Sequence, residues 1–231
     1  MPDLKYIYDH QADQYQRLVE CEDYEGNLLR AIQAIAPLQG LDVVETGAGT
    51  GRVTSLLAPW VRSLRAFDLS AHMLEVARAR LERAGYSQVQ FATASHSSLP
   101  VAEGSADLLI SGWSVCYVYV DNRSGWQEAL ERTLADFRRF LRPGGKIILI
   151  ETLGTGYEQP YRYPSLVEYL DYLDQIRFEM TWVRTDFRFA NLEQARQLAP
   201  FFFGEAMLEK LNGLVLPECT GLWYQEKGRD F

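Results

Sequence analysis

Two carboxyl groups and three glycines carry the strongest chemical signal in this chain. In "VVETGAGTGR", Glu45 closes an apolar run, and Gly47, Gly49 and Gly51 then take alternate positions. Asp68 stands roughly twenty residues further on, at the end of a second apolar run, "SLRAFDL". A glycine turn lets backbone approach a ligand closely, and an acid ending the next strand accepts hydrogen bonds from both hydroxyls of a ribose. Glu45 adds a constraint, because a carboxylate beside a tight loop repels a pyrophosphate and attracts an ammonium. A ligand that satisfies all three features has a ribose and an amine and lacks a phosphate. Two nucleotide loops fit the spacing less well. A dinucleotide-binding G-x-G-x-x-G needs glycine where Arg52 stands, and a P-loop needs Gly-Lys then Ser or Thr where the chain reads Gly51-Arg52-Val53.

The elements that must position these residues follow from the hydrophobic pattern. Leu28, Ile32 and Ile35 recur at helical spacing with Gly40 where a C-cap would sit, and "LDVVE" then switches to strand. A helix through Leu56 and Leu57 stops near Pro59 and gives way to the strand "SLRAFDL". Ser70 is placed to cap a helix whose Leu74, Ala77 and Leu81 share one face and whose Gly85 ends it, and "VQFATA" reads as a third strand. "ADLLISGW" is almost uninterrupted apolar sequence, as for a strand covered on both faces of a parallel sheet. Beyond it, Tyr117 and Tyr119 alternate with Val118 and Val120 and read as an aromatic face packed against a lid. Leu130, Leu134, Phe137 and Leu141 trace a helix that breaks at a turn, "RPGG", ahead of a fifth strand, "KIILIE". Strands alternating with helices specify a doubly wound α/β sheet. The tail reads as a helix from Ser165 to Ile176, a strand "MTWVRTDFRF", a helical, aromatic-rich insert from Asn191 to Asn212 and a last strand "CTGLWYQEK".

Composition narrows the partners. A chain of 231 residues holds one domain with a large core or a domain carrying a small lid, and a formal charge of −8 disfavours a grip on phosphate backbones. A small or neutral substrate fits better than nucleic acid. Cys21, Cys116 and Cys219, like His10, His72 and His96, are scattered, so neither a disulfide framework nor metal-ligand spacing appears, and a reduced, cytoplasmic protein is expected. The most apolar stretch, Leu108 to Val120, is shorter than the roughly 18 to 20 residues of a membrane span, and no targeting sequence precedes Tyr6.

Taken in order, E-x-G-x-G-x-G, "FDLSAHMLEVAR", "SLP", "ADLLIS" and "LRPGGKIIL" resemble the motifs of class I S-adenosylmethionine-dependent methyltransferases, most closely the small-molecule type with the methyltransferase-11 pattern. The resemblance runs from Leu28 to Thr152, and "FFFGEAM" followed by "LPECTGLWY" resembles a group of bacterial methyltransferase-like proteins. It implies one domain with a Rossmann-like, seven-stranded, mostly parallel sheet and a late antiparallel strand. It also implies an N-terminal helical cap over residues 1–27, a cofactor-binding core over 28–152, and C-terminal strands over 153–231 with a helical insert at 191–217. The implied cofactor is S-adenosylmethionine, the product S-adenosylhomocysteine, and the reaction in-line methyl transfer to a small-molecule acceptor by a monomer or homodimer. Two other classes stay open: a regulatory protein that binds the cofactor without turnover, and an NAD-dependent oxidoreductase.

The resemblance also assigns roles. Glu45 would orient the methionine amine, directly or through water; Gly47, Ala48 and Gly49 would pass beneath the cofactor; Gly51 would let the following helix pack close. Asp68 would take the ribose hydroxyls, with Leu69 and Met73 on the adenine; strand-end solvation or helix capping stays open for Glu45 and Asp68, and a place in the core of the helix that buries Leu74 and Ala77 stays open for Met73. Where related chains have an Asp-Ala pair for the adenine amino group, this one reads Ser95-His96, whose serine hydroxyl and histidine backbone would serve the base edge. The His96 side chain reads as that of a surface-loop histidine, with a proton acceptor as the alternative. Ser111, Gly112 and Trp113 would approach the sulfonium, and Trp113 would close the pocket. Tyr6, Tyr8 and Tyr15 resemble a mobile cap, with Tyr15 reaching the cofactor carboxylate or packing in the core. Neither an Asn-Pro-Pro-Tyr tetrad nor a suitable cysteine pair is present, so no catalytic base is assigned. Trp182, Phe187, Phe189, Phe201, Phe202, Phe203 and Trp223 read mainly as core rings, with an aromatic acceptor as the alternative.

Overall fold

The computed structural model describes residues 4–228; the first three residues of the expected cap and the last three of the C-terminal segment lie outside them. Three helices, α1 (Leu4–His10), α2 (Ala12–Val19) and α3 (Asn27–Ile35), precede the first strand. From there β1 (Asp42–Thr46), α4 (Arg52–Leu57), β2 (Ser63–Asp68), α5 (Ala71–Arg83), β3 (Val89–Thr93) and β4 (Ala106–Gly112) alternate. Then come α6 (Cys116–Val120), α7 (Trp126–Phe140), β5 (Leu141–Thr155), α8 (Val167–Gln175) and β6 (Glu179–Arg184). The chain closes through β7 (Phe187–Arg188), α9 (Leu192–Phe203), β8 (Val215–Leu216) and β9 (Glu218–Glu226).

Seven strands form one sheet in the order β3-β2-β1-β4-β5-β9-β6. The pairs from β3 across to β5 are parallel, and β9 runs antiparallel to both β5 and β6. Strand order therefore reverses between β1 and β4, and in an open α/β sheet the crevice outside the carboxyl ends at that reversal is where ligands bind.

Side-chain alternation explains why the apolar runs are unbroken. Val43, Leu108 and Ile110 pack under α3, α4 and α5, while Val44, Leu109, Ile147 and Leu149 pack under α7 and α8. Both faces of the central strands are buried, so no polar position recurs. Each fully buried aliphatic side chain contributes about 1.5 to 3 kcal/mol from the apolar area removed from water. Ser70 caps α5, its hydroxyl accepting the Met73 N–H, and Leu74, Ala77 and Leu81 face inward. A third, smaller core joins α2, α9 and the β7–β8 ribbon through Leu18, Phe187, Phe189, Leu198 and Leu216.

Several expectations are corrected. Helix α3 ends at Ile35 with Ala36 already extended, because Pro37 disfavours helical geometry in the residue before it; Gly40 instead sits in the turn into β1. The "RPGG" turn is absorbed into β5 as an irregularity, with Leu141 opposite Ala106 and Lys146 opposite Leu108. The run from Met180 to Phe189 is two strands, since Thr185 turns inward to bond Thr220 and Asp186 receives Arg184; β6 joins the main sheet and β7 pairs with β8. Tyr117 and Tyr119 do not share one packed face: they lie on the short helix α6, with Tyr119 buried and Tyr117 on the wall of a cavity. Among the described residues no helix is long and apolar enough to cross a membrane, and no group of three or more His, Cys, Asp or Glu side chains could hold a metal ion.

Candidate functional site

The carboxyl ends of β1, β2 and β4 border a cavity of about 540 Å³. Thr46, Gly47, Gly49, Asp68, Leu69, Met73, His96, Gly112, Trp113 and Ser114 line it from the strand ends and the segments that follow them; Tyr8, Tyr15 and Tyr117 complete the wall with Lys5, Asp9, Asp121, Ser70 and Ala94. None of the tail aromatics expected as core rings lines it: Trp223, Phe187 and Phe189 are buried, and Phe202 and Phe203 pack against the third core.

All three loop glycines have left-handed backbone, for three different neighbours. A Cβ on Gly47 would fall well inside contact with the Ser114 side chain; on Gly49 it would meet only Met73 Cε at 3.5 Å; on Gly51 it would press on Ala77 and Leu81 at 3.2 Å. Gly51 therefore permits the approach of α5, which corrects the expectation that the helix directly after the loop requires it. The Gly49 N–H donates to Asp68 Oδ2 at 2.8 Å, and the Ser70 N–H donates to Oδ1 at 2.8 Å. Asp68 thus ties the loop to the start of α5. Burial pushes its pKa up, and those backbone donors hold it down.

Glu45 does not open onto the cavity. It is 1% exposed, and burial raises its pKa to about 8, with the nearby Thr54 offsetting only part of that rise. The expected carboxylate is a mostly protonated acid at neutral pH in this state, because an unpaired buried charge is too costly. Ala48, Gly51, Ser95 and Ser111 are likewise absent from the cavity wall. Ser111 is buried in β4, and the Ser95 hydroxyl caps a three-residue 3-10 turn by accepting the Ser97 N–H.

His96 corrects the surface-loop reading most clearly. Its half-buried ring lines the cavity, with Nδ1 2.6 Å from Thr46 Oγ1, Nε2 2.9 Å from Ser114 Oγ, and Phe137 edge-on behind it. Burial lowers its pKa to about 4, so the imidazole is neutral at neutral pH. Sequence reasoning missed Thr46 and Ser114. Both stand at or just past the end of a parallel strand, and that position was the available signal.

Trp113 has φ +50°, a left-handed conformation that costs a bulky residue energy and clusters at functional sites. Packing holds it there. The Arg52 guanidinium lies 3.3 Å from its ring centroid and pairs with Glu22, and burial lowers the Arg52 pKa to about 10. Tyr15 lines the wall with its ring against Tyr8 and Phe202. Tyr8 holds α1 across the opening: its carbonyl accepts from Ser70 Oγ at 3.2 Å, and its hydroxyl lies 3.1 Å from that of Tyr117. Tyr6, on the same helix, is absent from the wall.

Residues 44–149 match the family model described as a methyltransferase domain. The chain is 35% identical over 119 residues to a demethylmenaquinone methyltransferase of Clavibacter sepedonicus, covering 52% of this chain and 44% of that one. It is 30% identical over 142 residues to a malonyl-[acyl-carrier protein] O-methyltransferase of Pectobacterium atrosepticum, covering 62% and 49%. The aligned stretch thus spans about half the length of these curated relatives or less. A solved SAM-dependent methyltransferase from Aquifex aeolicus shares the fold with a TM-score of 0.56 at 14% identity, covering 89% of this chain and 90% of that one.

Proposed function

We propose that this chain, whose residues 44–149 match the methyltransferase-domain family model, is a class I S-adenosylmethionine-dependent methyltransferase that transfers a methyl group from S-adenosylmethionine to a small-molecule acceptor by in-line displacement. The observation that carries the proposal is Asp68, whose carboxyl group lies on the cavity wall at the strand-order reversal with the glycine loop bonded to it.

The residues present fit that cofactor. A carboxylate offers about four acceptor sites, so Asp68 keeps capacity for ribose hydroxyls after binding its backbone donors. Leu69, 70% exposed, and Met73 offer apolar surface for adenine. Glu45 Oε2 is buried without a hydrogen-bond partner and off the cavity wall, which suits the methionine ammonium reached through water rather than directly. Tyr15 and Trp113 bound the cavity where the carboxylate and the sulfonium are assigned. When bound, S-adenosylmethionine supplies an activated methyl group and its own leaving group. The chain's part is to align the reactants and exclude water, which in the best intramolecular cases lowers a barrier by about 7 to 11 kcal/mol. Cys21, Cys116 and Cys219 are free thiols, which suits a reducing cytoplasm.

Calorimetry with S-adenosylhomocysteine and with NAD tests the reading. Saturable binding of the former alone is expected, and saturable NAD binding without it overturns the proposal. A screen of acceptor pools for S-adenosylhomocysteine release, read by mass spectrometry of the methylated product, then identifies the acceptor.

A further inference from the structure

Three polar side chains of the cavity wall lie outside the cofactor contacts proposed above and bond to one another. Thr46, His96 and Ser114 come from the ends of β1, β3 and β4 and form one hydrogen-bonded chain along the wall. A nucleophile or relay hydroxyl within 2.6 to 3.2 Å of an imidazole, itself oriented by a third group, is the usual arrangement for moving a proton from a reacting hydroxyl. The spacing here, 2.9 Å and 2.6 Å, meets that requirement.

Ser114 is pinned. Its side chain fills the space over Gly47 that any Cβ would occupy, so its hydroxyl is held between the glycine loop and the imidazole. We infer that Ser114 is a catalytic residue that receives the proton of a hydroxyl acceptor while passing its own to His96 Nε2, and that Thr46 positions the ring by accepting the Nδ1 proton. This rests on the methyl-transfer reading above. The acceptor oxygen forms the new C–O bond with a lone pair, and the C–S bonding pair stays on sulfur. The O–H pair remains on oxygen as the proton moves to Ser114 Oγ, and His96 ends as the imidazolium. Atoms and charge balance, because one positive charge leaves sulfur as one arrives on the ring.

The surroundings favour that division of labour. A base beside a cationic sulfur must be unprotonated in the ground state, and burial next to Phe137 keeps His96 so, with its pKa at about 4. The charged groups on the cavity wall, Lys5, Asp9, Asp68 and Asp121, make no hydrogen bond to the ring among the described contacts. The same weak base selects the acceptor class. An oxygen that has gained a methyl group while keeping its proton is a strong acid and yields it readily, whereas an alkyl amine holds its proton up to about pH 10.

Nitrogen-15 NMR of labelled protein reads the tautomer directly. The expected spectrum from pH 5 to 8 shows a neutral His96 protonated on Nδ1, with and without S-adenosylhomocysteine. Thr46→Val, which keeps the side-chain shape, moves the equilibrium about fivefold toward the Nε2-protonated form, as expected for the loss of one hydrogen bond. With S-adenosylhomocysteine bound, phenol shifts the Nε2 resonance and benzylammonium does not, and Ser114→Ala abolishes the phenol shift. An Nε2-protonated ring in the wild type, an imidazolium at pH 7, or a resonance that saturating phenol leaves unmoved overturns the inference. Failure of S-adenosylhomocysteine to bind by calorimetry instead overturns the methyl-transfer reading, so the two failures are distinct.

Discussion

Replacing Glu45 by Gln removes a charge from the least solvated acid at the site and leaves its shape in place. In the folded chain this carboxyl titrates at about 8 against 4.5 in the unfolded one, mainly because burial penalises the anion. Between those values the folded state keeps a proton that the unfolded state has lost, so stability falls as pH rises through the window. At about 1.4 kcal/mol per pH unit, the loss from Glu45 between pH 5 and pH 7 is about 2 to 3 kcal/mol. Denaturant titrations of wild type and Glu45→Gln should therefore diverge by roughly that amount over the interval, with the variant the flatter. Ligand linkage then runs the other way. If the methionine ammonium stabilises the ionised form, binding S-adenosylhomocysteine at pH 7 expels most of a proton, since a group with pKa about 8 is mostly protonated there. Affinity then rises up to about tenfold per pH unit between 6 and 8. Calorimetry in buffers of different ionisation enthalpy measures the proton count. The Glu45→Gln variant should bind roughly ten- to a hundredfold more weakly at pH 8, with no pH slope. Equal slopes in the two proteins, or no proton release by the wild type, would refute the assignment of the amine to Glu45.

Asp68→Ala should weaken S-adenosylhomocysteine binding about ten- to a hundredfold in a titration, since it removes charge-assisted acceptors and frees Gly49 from α5; unchanged affinity would exclude the ribose role. Gly47→Ala should lower the melting temperature more than Gly49→Ala. Both positions have positive φ, but only at residue 47 does the new methyl strike Ser114, and Ser114→Gly should recover the difference. Arg52→Met leaves Glu22 buried without its partner and should cost about 3 to 5 kcal/mol in chemical denaturation. Adding Glu22→Gln should restore most of that; no recovery would mean that the stacking on Trp113 matters more than the ion pair.

Local pattern carried the fold up to β5 because its signals are short-range. A helical stripe such as Leu74, Ala77 and Leu81, a capping Ser70 and the apolar run of β4 each state their conformation within a few residues. Pattern failed where a distant partner decided. Thr185 and Asp186 break the run from Met180 to Phe189 only because Thr220 and the start of β9 are there to receive them.

By itself the sequence determined the parallel sheet, the glycine loop at the end of its first strand, and an acid at the end of the second, since spacing along one chain segment fixes these. Only the folded structure decided the rest. It brought Thr46, His96 and Ser114, separated by 50 and 18 positions, to one wall, and withdrew Glu45 beneath it. It also fixed which of these groups carry charge. The reason is physical: hydrogen bonding and desolvation depend on through-space distance and burial, and both arise when the strand ends converge.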